Sequence, residues 1–88
     1  MARFILVHTP VAELTQDQIV DGIRAMIASL EPETEWIGSW YAAEENKMFC
    51  EWEAPDEEAI RASIGEGLKL NPIETIYEVI TLDPNLFK

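Results

Sequence analysis

Trp36-Ile37-Gly38-Ser39-Trp40-Tyr41-Ala42-Ala43, then Glu44-Glu45-Asn46, then Lys47-Met48-Phe49-Cys50-Glu51-Trp52-Glu53 is the stretch whose reading decides the fold. Two runs of β-forming residues, the first rich in aromatics, flank a short polar turn, which is the signature of a hairpin. On its N-terminal side Ile19, Val20, Ile23, Met26, Ile27 and Leu30 recur at helical spacing and form one apolar stripe. Thr15 reads as the N-cap of that helix, Gln18 completes a capping box, and Asp17 suits the helix dipole. Pro32 disfavours helical geometry at Glu31, so the helix ends near Leu30. On the other side Pro55-Asp56-Glu57-Glu58 opens a second helix with an inner face of Ala59, Ile60, Ser63 and Ile64, closed by Gly65 or Gly67.

A hairpin bracketed by helices needs strands outside them. Phe4 to Thr9, closed by Pro10, supplies the first. Ile73 to Leu82, after a loop around Asn71-Pro72 and before Asp83-Pro84, supplies the last. The order βαββαβ is that of the ferredoxin-like α+β sandwich. Right-handed crossovers put both helices on one face of a four-stranded antiparallel sheet of order 4-1-3-2. The other face is left bare.

The chain has 88 residues, enough for one domain spanning residues 1-88, and a domain this small gains from oligomerisation. Its 17 acidic and 6 basic residues give a net charge of -11, a field that repels phosphate backbones and anionic lipid. No nucleic-acid or membrane partner is therefore expected. One Cys cannot form an internal disulfide, and the apolar start at Phe4 to Val7 is too short for a signal peptide. A cytoplasmic protein is the expectation.

Alternation across the strands divides the side chains into two sets. Ile5, Val7, Trp36, Gly38, Trp40, Met48, Cys50, Trp52, Tyr77 and Val79 form the nearly all-apolar set, assigned to the helices. Phe4, Leu6, His8, Ile37, Ser39, Tyr41, Phe49, Glu51, Glu53, Ile76, Glu78 and Ile80 form the mixed set, assigned to the bare face. Large apolar residues on a bare face mark an interface or a ligand groove, and a second copy would close it into a two-sheet homodimer enclosing a cavity.

Within the mixed set His8, Glu53, Glu78 and Glu51 fall on three neighbouring strands. An imidazole with carboxylates suits a divalent metal; the plainer alternative is a His8–Glu pair with the other acids in solvent. Cys50 is expected to be a buried, unreactive thiol facing the helices. Trp36, Trp40 and Trp52 read either as the lining of a ligand pocket or, more commonly for such residues, as core. Gly65 and Gly67 read as helix termination, since no basic or hydroxyl residue accompanies them as in a phosphate loop.

The stretch Phe49-Cys50-Glu51-Trp52-Glu53-Ala54-Pro55-Asp56-Glu57-Glu58-Ala59-Ile60-Arg61 resembles the Phe-Cys-x-aromatic-Glu-Ala-Pro-Asp-Glu-Glu-Ala signature of a domain-of-unknown-function family of small bacterial proteins, typified by an actinobacterial nickel-binding member. Arg3-Phe4-Ile5-Leu6-Val7, Trp36 with Ser39, and Ile76-Tyr77-Glu78-Val79 extend the similarity. The resemblance implies a dimeric α/β-barrel and nickel, or another divalent metal, as cofactor. Glu53 and Glu78 fall on family-like positions, whereas His8 and the loop Gly67 to Pro72 depart from the pattern.

Three functional readings stand open. The first is a homodimeric protein binding nickel or a small ligand in a polar pocket on the open sheet face. The second is a cofactor-independent monooxygenase or isomerase, by analogy of fold alone. The third is an accessory or regulatory protein without a ligand.

Overall fold

Six regular elements run in the expected order, and the computed structural model describes residues 1–88. They are β1 (Ala2–His8), α1 (Gln16–Ala28), β2 (Glu35–Ala42), β3 (Lys47–Ala54), α2 (Glu57–Ile64) and β4 (Ile73–Val79). The last strand stops at Val79 rather than Leu82, and short 3-10 segments occupy Gly65–Lys69 and Pro84–Phe87. Local chemistry sets the boundaries. The Thr15 hydroxyl accepts from the Gln18 amide (3.1 Å), while the Thr15 amide donates to the Gln18 side chain (2.9 Å), so α1 starts with a reciprocal cap. The Asp56 carboxylate accepts from the Ala59 amide at the start of α2, and Gly65 ends that helix at φ 58, in the left-handed region that favours glycine.

The sheet order is β2-β3-β1-β4, with every neighbouring pair antiparallel. Register places Phe4 opposite Trp52, Leu6 opposite Cys50 and His8 opposite Met48, and all six side chains are buried beneath the helices. Ala54 and Ile60 of α2 complete this core. Full burial of an apolar side chain of this size contributes about 1.5–3 kcal/mol, so Leu6, Trp52 and Ile60 dominate the stability of so small a domain.

The structure corrects the expected division of faces. In β3 the assignment stands: Met48, Cys50 and Trp52 point to the helices. In β1 and β4 it is inverted. Phe4, Leu6 and His8 are core, with Ile76 opposite Leu6, whereas Ile5, Val7, Tyr77 and Val79 lie on the bare face. In β2 a register shift between Trp36 and Gly38 reverses the alternation partway along the strand. Trp36 pairs with Trp52 and Ser39 with Cys50 on the helix side, and Trp40 pairs with Phe49 on the bare side.

Candidate functional site

Helix α1 carries no buried residue, and between it and the sheet lies a cavity of about 480 Å³. Its α1 wall is Ile19, Gly22, Ile23 and Met26, its floor includes Trp36, Met48 and Cys50, and no Asp, Glu, Lys or Arg lines it. The hairpin tip and the loop before β4 hold its rim. Asn46, at φ 50 in the turn, accepts from the Tyr41 hydroxyl (2.8 Å) and donates to the Pro10 carbonyl (3.1 Å). The Thr9 amide donates to the Pro72 carbonyl (3.2 Å) and the Val11 amide to that of Leu70 (3.0 Å).

His8 is the polar residue at the base of this cavity and is only 1% exposed. Its Nδ1 lies 2.8 Å from the Asn71 carbonyl oxygen. A carbonyl can only accept, so Nδ1 carries the hydrogen and Nε2 of the neutral ring is a bare acceptor. That Nε2 is buried without a partner, and so is the Asn71 side-chain oxygen, whose amide group donates to the Met48 sulfur (3.4 Å). Burial pushes the His8 pKa below its ordinary value, against smaller raising effects of the Asn71 and Pro72 carbonyls, so the ring is neutral at neutral pH.

The other polar groups of the cavity are already committed. The Ser39 hydroxyl accepts from the Trp36 indole (2.9 Å) and donates to the Cys50 sulfur (2.9 Å). Burial raises the Cys50 pKa to about 11, opposed by that Ser39 bond. Cys50 is thus a protonated thiol facing the helices, neither a nucleophile nor a ready thiolate ligand.

On the bare face one charged group gathers around Arg3. The Arg3 guanidinium is ion-paired with the Glu51 carboxylate and lies 3.8 Å from that of Glu53. Glu35 stands directly opposite Glu53, a like-charge pairing that the Arg3 charge offsets. Around this group Trp40, Phe49 and Tyr77 are exposed, and Ile5, Val7 and Val79 are half-buried.

The four residues expected to form one polar centre are not brought together. His8 lies under the helices; Glu51 and Glu53 project from the opposite face; Glu78 is exposed and stands opposite Phe4, away from His8. No group of three or more His, Cys, Asp or Glu side chains is placed to hold a metal ion. The donors within one chain do not fit such an ion. A cation at His8 would sit in a cavity with no carboxylate to offset its desolvation, and Glu51 and Glu53 are turned to Arg3. Sequence reasoning missed Asn71 and Gly22 as parts of the cavity; the one available signal was the Asn71-Pro72 turn, which fixes the loop whose carbonyl orients His8.

The family model described as nickel responsive protein SCO4226-like matches residues 4–79. The crystal structure of SCO4226 from Streptomyces coelicolor A3(2) is similar with a TM-score of 0.75 and 24% identity, covering 93% of this chain and 100% of that one. At that identity the likeness shows the fold. No curated protein matches the sequence. No helix is long and apolar enough to cross a membrane.

Proposed function

The chain belongs to the nickel responsive protein SCO4226-like family, and from that premise we propose that it is a small homodimeric binding protein whose association with nickel depends on pairing. The observation that carries this reading is the bare sheet face, where Trp40 is 59% and Tyr77 54% exposed beside Phe49, Ile5, Val7 and Val79. An apolar band of this kind, with a charged group at one end of its strands, supports a partner of the same shape. Two copies meeting there would form the dimeric α/β-barrel implied by the family resemblance. They would also bring a second Glu51 and Glu53 to one interface, where a nickel ion would have to draw these carboxylates away from the Arg3 of each copy. His8 and Glu78 stand outside this site, on the far side of each sheet.

Untagged protein should elute as a dimer of the 10.0 kDa chain in size exclusion with light scattering at low micromolar concentration. It should retain nickel in equilibrium dialysis read by elemental mass spectrometry. Trp40→Asp leaves the core untouched but places an unpaired charge in the interface, so it should yield a folded monomer that binds nickel at least about tenfold more weakly. A wild-type chain that is monomeric, or a monomeric variant that keeps full nickel affinity, would overturn the reading.

A further inference from the structure

We propose that the cavity between α1 and the sheet is a binding site for an uncharged, largely apolar small molecule that presents two hydrogen-bond donors to His8 Nε2 and Asn71 Oδ1. Nothing in this inference depends on nickel or on pairing. Three observations define the ligand. The volume of about 480 Å³ falls within the range of small-molecule sites, about 300–1,000 Å³. No charged side chain lines it, so neither an anion nor a cation would find a counter-charge. The third observation fixes polarity. Ser39 and Tyr41 have their hydroxyls engaged, and the Gln18 side-chain oxygen accepts from the Thr15 amide. The two lining groups left buried and unpartnered, His8 Nε2 and Asn71 Oδ1, are both acceptors. Buried acceptors are costly to leave unmade, and a ligand bringing O–H or N–H groups satisfies both. Its body would lie against Ile19, Ile23 and Met26 of α1.

Gly22 provides the means to test this. It lines the cavity from α1, and a Cβ built on it meets nothing within 4 Å. Gly22→Leu should therefore fill the space without disturbing the core and with better helix propensity than glycine. The probes are 2,3-dihydroxynaphthalene, which carries two donors, and 2,3-dimethoxynaphthalene, which carries none, added to metal-stripped protein in chelator. The single histidine gives an unambiguous ring-nitrogen NMR signal. The diol should shift the Nε2 resonance, the dimethoxy compound should bind at least about tenfold more weakly, and Gly22→Leu should weaken the diol by at least about tenfold while melting no earlier than wild type. Equal binding of the two probes, binding indifferent to Gly22→Leu, or no binding of the diol up to its solubility would each overturn the proposal.

Discussion

Helices α1 and α2 cover the same face of the sheet, but they are attached to it differently. The shorter α2 buries Ile60 and Ser63 completely, at 0% exposure each, and packs on β3, where Trp52 and Ala54 share the buried core with Ile60. The longer α1, with a full capping box and a clear apolar stripe, buries nothing completely and faces a void. Amphipathic patterning thus sets which side of a helix turns inward, while the depth of contact depends on what the sheet offers beneath it. Under α2 the floor is Trp52 and Ala54; under α1 it is a buried polar histidine with Met48, Cys50 and the half-buried Trp36. The first arrangement stabilises the fold and the second leaves room for a ligand.

The contrast is broken most directly by matched truncations. Ile60→Ala removes a fully buried side chain from close packing and should cost about 2–5 kcal/mol. Ile23→Ala removes the same atoms from a half-buried position that already borders a void, so no new cavity term arises, and it should cost about 1 kcal/mol or less. Urea unfolding of the two variants, compared at unchanged m-value, measures the difference. Equal losses would mean that α1 is packed as firmly as α2.

Where the helices do meet, hydroxyls join them. The Ser29 hydroxyl, at the end of α1, donates to the Ser63 carbonyl (2.9 Å); the Ser63 hydroxyl accepts from the Glu31 amide (2.9 Å) and donates to the Ala59 carbonyl (2.7 Å). Ser63→Ala leaves the Glu31 amide without its partner and should cost about 1–3 kcal/mol, less than the loss of Ile60. Hydrogen exchange sharpens the comparison. Protection should fall in α1 and the following turn before it falls in α2.

The same two regions divide what could be read in the sequence. Element order, the Thr15–Gln18 capping box, sheet order and the Ile60–Ser63 inner face were legible because each rests on local spacing or on general chirality rules. The faces of β1 and β4 were not. Ile5 and Val7 are as apolar as Phe4 and Leu6, so alternation alone leaves β1 undecided, and polarity argued for placing His8 outside. Register against Met48, Cys50 and Trp52 settles it, and register is a long-range property. The shift between Trp36 and Gly38 defeated parity in β2 for the same reason. The cavity was illegible because it depends on how far α1 stands from the sheet, which no periodicity encodes.

The buried imidazole gives the smallest and most selective test of this division. Its ring is neutral in the fold because burial lowers its pKa from 6.5, whereas the unfolded chain exposes a histidine that titrates normally. Between the lowered folded value and about 6.5 the unfolded state binds more protons, so stability rises with pH in that window. The His8 contribution is therefore whole above about pH 6.5 and is lost as pH falls toward the folded value. Cys50, in the same cavity, stays protonated throughout this range, and no carboxylate lines the cavity to hold a charged ring. The surface acids titrate too, so the useful quantity is the difference between wild type and His8→Gln in urea midpoint from pH 8 to pH 5. Wild type should lose stability faster than the variant on acidification, with the two curves parallel above about pH 7. Parallel curves across the whole range would mean that His8 is as accessible to protons in the folded chain as in the unfolded one, and would reopen its placement beneath α1.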